Sequence, residues 1–291
     1  MRELSFTLSD KTLAGIAIGD SELPVVLCLH GWLDNAASFM PMFEHIKQHN
    51  SDLLTQYQFV AIDWPGHGLS THRSADAHYH FIDWSYDLLQ LIDQQNWPSV
   101  NLIGHSMGGM VATLFTSAFN DKVNNLLLIE AIGLLTESEN PSEQLRKGLQ
   151  SRLNSSSKQK NVHKNLNAAV KARMNVSDLP NDAAKLIVSR GLKTVEQGVV
   201  WRSDPRLRNT SPQRFSIKQA LQVVANIHCP VTLIVGDNGF DMIQTGIKVF
   251  GEHINEFTLH SVKGGHHPHM ESVNDTVNIV AEFLSSPSKL N

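Results

Sequence analysis

The sequence predicts an α/β protein whose core is an eight-stranded, mostly parallel sheet with helices packed against it. Short runs rich in Val, Ile and Leu alternate along the chain with amphipathic stretches at helical spacing. This alternation is the pattern of parallel strands joined by crossover helices. One long stretch, residues 134–215, interrupts it with helical periodicity and almost no strand signal, so we expect a helical insertion there.

The strands are predicted from short apolar runs. Continuous apolar runs are typical of strands that are buried on both faces of a sheet. The strongest lie at residues 25–29, 59–62, 100–103, 126–129 and 231–235. Weaker runs at residues 5–8, 12–18 and 256–261 complete the eight strands.

The helices are predicted where apolar residues recur every three or four positions. They cover residues 39–49, 81–95, 108–119, 242–250 and 274–284. The last of these places Val277, Val280 and Leu284 on one face. The insertion then divides the chain into a core of residues 1–133 and 216–291 and a helical cap of residues 134–215.

Composition excludes several kinds of partner. The 291 residues carry a formal net charge of −4, so there is no excess of Lys and Arg to bind nucleic acid or an anionic membrane surface. A small neutral substrate and no cofactor are expected, and the sequence indicates no oligomeric state. No apolar run approaches the roughly 20 residues that span a bilayer. Residues 1–10 lack the features of a secretory signal, so a cytoplasmic location is expected.

The sharpest local signal is a G-x-S-x-G motif at residues 104–108, placed between a predicted strand and a predicted helix. A serine on such a tight turn needs small neighbours two positions before and after it, here Gly104 and Gly108, and its hydroxyl then projects from the turn. The pattern predicts that Ser106 is a nucleophile. The alternative interpretation is a tight turn with a purely structural role.

Two further signals complete a possible site for acyl transfer. The run Leu29-His30-Gly31-Trp32 ends an earlier strand, so the backbone N–H groups of Trp32 and Met107 are candidates for an oxyanion hole. Late in the chain, the segment 264–271 holds three histidines. His266 directly follows a flexible glycine pair and is the candidate base, with His267 as the alternative. No metal site is expected, because no metal-binding spacing accompanies these histidines.

Four motifs in this order resemble the α/β-hydrolase superfamily over nearly the whole chain: residues 30–32, residues 63–70 (DWPGHGLS), residues 104–109 and the late Gly265-His266 pair. Residues 31–38 (GWLDNAAS) and 201–207 (WRSDPRL) resemble its branch of serine hydrolase-like proteins. The resemblance implies the α/β-hydrolase fold and a hydrolase whose substrate is not assigned. It also implies a structural role for the loop at residues 63–70.

The acid of the expected triad departs from the pattern of that superfamily. The usual position, three residues after the glycine that ends the seventh strand, is Gly239 in this chain. Three carboxylates are therefore candidates to orient His266: Glu130, Asp237 and Asp241. Glu130 is favoured because it directly follows the sixth strand, and some branches of the superfamily place their acid there.

A serine nucleophile points to addition at a carbonyl carbon. The predicted function is hydrolysis of a carboxylic ester, thioester or lactone through an acyl-enzyme. Two alternatives stay open: a ligand-binding protein with little turnover, and a cofactor-free lyase or perhydrolase that uses the same triad. The arginine-rich segment 201–208 is interpreted either as a site for an anionic substrate tail or as a structural ion-pair cluster around Asp204.

Overall fold

The computed structural model describes residues 1–136, 140–155 and 161–285. Its centre is one sheet of eight strands, which confirms the predicted fold class. The strands are β1 (Arg2–Thr7), β2 (Thr12–Ile18), β3 (Val25–Leu29), β4 (Gln58–Ile62), β5 (Val100–His105), β6 (Val123–Ile129), β9 (Val231–Gly236) and β10 (Phe257–Val262). Their order is β1-β2-β4-β3-β5-β6-β9-β10. Two further strands, β7 (Leu192–Val195) and β8 (Gly198–Trp201), form a separate hairpin.

Strand direction decides where the polar residues meet. β1 pairs antiparallel with β2, and β2 pairs antiparallel with β4. All the other pairs in the large sheet are parallel. Residues that directly follow the parallel strands therefore gather at one edge. His30, Asp63, Ser106 and Glu130 are such residues.

Helices on both faces explain the continuous apolar strands. In β3, Val25, Leu27 and Leu29 belong to one buried apolar cluster, whereas Val26 and Cys28 belong to another. Side chains alternate between the two faces of a strand, so both faces of β3 are covered. Cys28 and Cys229 are buried and form no disulfide bond.

The predicted helices agree with the structure to within one residue at each end. They are α1 (Met40–His49), α2 (Phe81–Gln94), α3 (Met107–Ala118), α8 (Asp241–Phe250) and α10 (Val273–Ser285). Two helices were not predicted from the sequence, α7 (Ile217–Ala225) and the short α9 (Pro268–Glu271). The signal for α7 was present, because Ser216 and Gln219 form a capping box at its start. Within the described residues, no helix is long and apolar enough to cross a membrane.

Residues 134–215, called the inserted segment below, contain both helices and strands. The helices are α4 (Pro141–Ser155), α5 (Leu166–Met174) and α6 (Asn181–Gly191). The expectation of a segment with almost no strand was wrong for the β7–β8 hairpin. Each of its strands has only four residues, which is too short to show a clear period of two.

The inserted segment is tied to the loops that follow β3 and β4. The Asn35 side chain donates a hydrogen bond to the Ile187 carbonyl at 2.8 Å, and the Arg190 guanidinium pairs with the Asp63 carboxylate at 2.9 Å. The Asp204 N–H donates to the Gly66 carbonyl at 2.8 Å. These bonds hold the segment beside the edge of the sheet that carries Ser106.

Candidate active site

Ser106 occupies a strained turn between β5 and α3. Its backbone adopts φ 50° and ψ −118°, a conformation that non-glycine residues rarely adopt and that is common at functional sites. The turn is crowded, because a Cβ at Gly108 would lie 2.2 Å from the Leu29 carbonyl oxygen, and a Cβ at Gly104 would lie 2.5 Å from the Gly109 Cα. The glycines of the motif are therefore required by close backbone approach.

His266 lies on the loop between β10 and α9 and contacts both partners that the sequence analysis assigned to it. Its Nε2 is 2.9 Å from the Ser106 Oγ, and its Nδ1 is 3.1 Å from a Glu130 carboxylate oxygen. The Phe240 ring stacks on the imidazole with a centroid distance of 4.0 Å. The ring is thus held on two sides, with one nitrogen facing the serine and the other facing the carboxylate.

Of the three candidate acids, Glu130 is the one that meets His266. It is 1% exposed, and its backbone has φ 48°. Its carboxylate also accepts hydrogen bonds from the Gly236 N–H at 2.8 Å and the Phe240 N–H at 3.3 Å. A carboxylate fixed by backbone donors and an imidazole N–H is suited to stabilise a positively charged imidazole.

Gly239 is explained by the same carboxylate. A Cβ at position 239 would lie 2.2 Å from Glu130 Oε1, and its three nearest atoms all belong to the Glu130 carboxylate. Gly239 is not among the glycines with positive φ, so backbone strain would not oppose a side chain there. The space that a residue at position 239 would use is filled by Glu130.

The structure does not bring the other two candidate acids to His266. The Asp237 carboxylate pairs with Lys263 at 2.7 Å and accepts the Gly264 N–H at 3.0 Å, on the surface. The Lys263 ammonium is the main cause that lowers the Asp237 pKa. Asp241 begins α8, where its side chain is exposed and pairs with no cation of the described residues. Neither carboxylate is hydrogen-bonded to His266 within the described residues.

The two candidate oxyanion donors belong to segments that adjoin the Ser106 turn. Met107 is the first residue of α3, and Trp32 follows Gly31, where a Cβ would lie 2.8 Å from the His105 ring. Neither backbone N–H donates a hydrogen bond within the described chain. Leu33, directly after Trp32, has φ 63°, a positive value that non-glycine residues rarely adopt.

The order and placement of these residues match a known family. A sequence model of the alpha/beta hydrolase fold matches residues 24–273. The chain belongs to the alpha/beta hydrolase family. The resemblance found in the motifs of the sequence is thereby confirmed.

Relatives of this α/β-hydrolase support its branch and its general activity. A serine hydrolase-like protein of Danio rerio is 27% identical over 287 residues, which cover 95% of this chain and 86% of that protein. The crystal structure of a hypothetical protein from Pseudomonas aeruginosa PAO1 is 32% identical, with a TM-score of 0.89, and the match covers 98% and 100% of the two chains. The thioesterase domain from the curacin biosynthetic pathway shares the fold, with a TM-score of 0.83 at 23% identity and 97% and 99% coverage. The chain is a hydrolase of the serine hydrolase-like branch.

Behind His266, the hydrolase holds a buried ion network that the sequence analysis missed. Asp34 accepts a hydrogen bond from Arg173 at 2.7 Å, and its other oxygen lies 3.2 Å from His267 Nε2. Burial alone would lower the His267 pKa, but the carboxylates of Asp34 and Asp178 raise it to about 9. Burial and neighbouring histidines hold the His105 pKa well below its usual range. The network therefore contains a charged His267 beside a neutral His105.

Three donors of this network have a spacing that suits a metal ion. One ligand atom each from Asp34, His105 and His267 lie within 4.8 Å of one another, and imidazole with carboxylate is a common zinc donor set. A protonated His267, however, has no lone pair to offer, and Arg173 already occupies the other Asp34 oxygen. We interpret the cluster as an ion network that supports the loop before His266.

The charged state of His267 has a consequence for stability against pH. The folded pKa of about 9 exceeds the ordinary value of 6.5, so this stabilisation is fully present below pH 6.5 and is lost as the pH rises through 9. We expect the free energy of unfolding of the wild type, relative to His267→Gln, to fall by roughly 2–3 kcal/mol between about pH 6 and about pH 10. Urea unfolding at both pH values measures it. An unchanged difference would contradict the charged assignment.

Asp178, between α5 and α6, also lies beside His266, although no sequence motif indicated it. Its carboxylate accepts the backbone N–H of His266 at 2.8 Å and lies 3.7 Å from His267 Nδ1. A Cβ at Gly265 would lie 2.1 Å from this carboxylate. The inserted segment therefore contacts the backbone of the candidate base directly.

Removing the Asp178 carboxylate is expected to disturb the position of His266. We expect Asp178→Ala to slow labelling of Ser106 by a fluorophosphonate by about tenfold, because small displacements of a catalytic group are costly. Asp178→Asn keeps an acceptor for the His266 N–H and is expected to lose less. Asp182→Asn, an exposed change on α6, is the matched control. Equal labelling by Asp178→Ala and the wild type would show that the contact does not position His266.

Proposed function

We propose that this α/β-hydrolase cleaves a carboxylic ester, a thioester or a lactone of a small molecule through an acyl-enzyme on Ser106. The observation that carries the proposal is the hydrogen-bonded chain from the Ser106 Oγ through His266 to Glu130, with distances of 2.9 and 3.1 Å. These are the distances at which a nucleophile, its base and an orienting acid work as a unit.

The geometry supports a two-step reaction. His266 Nε2 accepts the Ser106 proton as the Oγ attacks the carbonyl carbon, while the Glu130 carboxylate stabilises the imidazolium. The carbonyl oxygen becomes an oxyanion that accepts hydrogen bonds from the Trp32 and Met107 N–H groups, each worth about 3 kcal/mol. The imidazolium then protonates the leaving group, and the acyl group stays on Ser106. In the second step His266 deprotonates a water molecule, whose oxygen attacks the acyl carbon. The bond between that carbon and the Ser106 Oγ then breaks, the imidazolium returns its proton to the Oγ, and the carboxylic acid leaves.

The inserted segment is proposed to act as the cap that selects the substrate, with residues 134–215 as its bounds. Its bonds to Asn35, Asp63 and Gly66 support this role, because all three residues follow strands at the edge that carries Ser106. The Trp32 indole also donates a hydrogen bond to the Leu207 carbonyl at 2.9 Å. A substrate on its way to Ser106 would pass between this segment and the sheet edge.

Covalent labelling tests the function. The purified protein and a Ser106→Ala variant are treated with a fluorophosphonate and then with p-nitrophenyl esters of increasing acyl length. We expect one label per chain and ester turnover in the wild type, and neither in Ser106→Ala. A wild type that takes no label and cleaves no ester would overturn the proposal in favour of a ligand-binding protein.

A further inference from the structure

The arginine-rich segment 201–208 separates into two parts with different surroundings. The Arg206 guanidinium pairs with Asp204 at 2.7 Å and donates hydrogen bonds to the carbonyls of Arg73 and Ala77, both at 2.7 Å. Asp204 in turn accepts a hydrogen bond from the Tyr79 hydroxyl at 2.9 Å. This part is the structural ion-pair cluster that was one of the two interpretations of the segment.

Arg208 lies in a different environment. Its guanidinium carbon is 5.8 Å from the centroid of the Trp32 indole, and no carboxylate of the described residues forms an ion pair with it. Partial burial, and then the charge of Arg173, lower the Arg208 pKa. Arg173 has Asp34 as its own partner at 2.7 Å. A guanidinium held against an aromatic ring and beside a second cation is a site that attracts an anion.

Arg208 contacts a residue of the candidate oxyanion hole. Trp32 provides one of the proposed oxyanion donors, and its indole is fixed by the hydrogen bond to the Leu207 carbonyl. The indole is 48% exposed, so it borders solvent next to Arg208. Arg208 therefore contacts the side chain of the same residue whose backbone N–H is a proposed oxyanion donor.

We propose that Arg208 binds an anionic group of the substrate, so that the hydrolase acts on esters or thioesters that carry a carboxylate or a phosphate. This inference rests on the proposed function. It also reverses the expectation of a neutral substrate, because that expectation used the net charge of the whole chain and the relevant charge is local. Guanidinium groups bind carboxylate and phosphate through paired N–H donors, and both anions present the same chemistry to Arg208.

The test uses two matched substrate pairs that differ in charge. p-Nitrophenyl butyrate is compared with p-nitrophenyl hydrogen glutarate for a carboxylate, and the pantetheine thioester of butyrate with its 4′-phosphopantetheine thioester for a phosphate. The readout is the ratio of kcat/KM for the anionic member to that for the neutral member. We expect a ratio of about ten or more in at least one pair, and the preferred pair identifies the anion.

Substitution of Arg208 assigns the preference to this residue. We expect Arg208→Gln to lower that ratio by about tenfold, chiefly through a higher KM for the anionic substrate. Lys193→Gln removes an exposed cation elsewhere on the inserted segment and is expected to leave the ratio unchanged. A ratio near one in both pairs, or an equal ratio in Arg208→Gln and the wild type, would overturn the inference. Turnover of the neutral esters in the same assays would leave the proposed function intact.

A binding measurement covers the case in which no ester is cleaved. Ser106→Ala is titrated with monomethyl glutarate and with methyl butyrate in a calorimeter. Tighter binding of the anionic ester that disappears in the Ser106→Ala, Arg208→Gln double variant would support the anion site independently of turnover. Equal binding of the two esters, or no binding of either, would overturn it.

Discussion

Replacement of Glu130 by glutamine is expected to lower kcat for p-nitrophenyl esters by about 10⁴-fold, the loss found when a triad acid becomes an amide. The wild-type carboxylate accepts three hydrogen bonds, from Gly236, Phe240 and His266. A glutamine keeps one acceptor oxygen but turns an amide donor toward another N–H. It also removes the negative charge that stabilises the imidazolium. Steady-state kinetics with the folded variant measures the loss.

Asp237, one of the two other candidate acids, provides the control for this prediction. Asp237→Asn removes a surface carboxylate that pairs with Lys263, so kcat is expected to change by less than about twofold. A large loss in Asp237→Asn, with little loss in Glu130→Gln, would assign the acid to Asp237 and contradict the geometry.

Gly239 allows a rescue experiment. Because the Glu130 carboxylate fills the space around position 239, Gly239→Asp alone is expected to inactivate the hydrolase. In the double variant Glu130→Ala, Gly239→Asp, the space is free, and the new carboxylate is expected to raise kcat about tenfold or more above Glu130→Ala alone. If the folded double variant is no more active than Glu130→Ala, the carboxylate at position 239 is not sufficient to replace Glu130 as the acid.

Asp63→Ala is expected to give the largest loss of stability, about 3–5 kcal/mol in the free energy of unfolding. The Asp63 carboxylate is fully buried and accepts the N–H groups of Ala36 at 2.7 Å and Leu69 at 2.8 Å. It also pairs with Arg190 of the inserted segment at 2.9 Å. Its removal leaves two backbone donors and a mostly buried guanidinium without their common acceptor. Urea unfolding followed by circular dichroism measures the loss.

Glu3→Gln is the matched control, since Glu3 is the second partner of Arg190, at 2.8 Å and largely exposed. Exposed pairs contribute little, so a change below about 1 kcal/mol is expected. If both variants lost the same amount, burial of Asp63 would not be the source of its effect.

The fold was predictable because most of the sheet consists of strands that are covered on both faces. Runs such as those of β3 and β9 are apolar at nearly every position, and all of their residues are buried. The β7–β8 hairpin was missed because both strands have only four residues and β7 carries the exposed polar side chains of Lys193 and Thr194. Its pairing depends on packing against the rest of the inserted segment, which no local pattern reveals.

The site was predictable only where a local turn carries the signal. The G-x-S-x-G motif identifies Ser106, because its glycines are required by backbone contacts within a short stretch of chain. The acid was ambiguous, since Glu130 and Asp237 directly follow the neighbouring strands β6 and β9. Their difference lies in the side-chain space beside Gly239, which is a tertiary property. Asp178 reaches His266 across 88 positions of sequence and has no motif of its own.

Trapping the acyl-enzyme tests the central claim most directly. The wild type is mixed with a p-nitrophenyl ester, quenched in acid during the first turnovers, digested and analysed by mass spectrometry. We expect the peptide that contains Ser106 to gain the mass of the acyl group, to lose it as turnover proceeds, and to hold it longer in Glu130→Gln. Ester turnover with no adduct on Ser106, or with an adduct on another residue, would contradict the account.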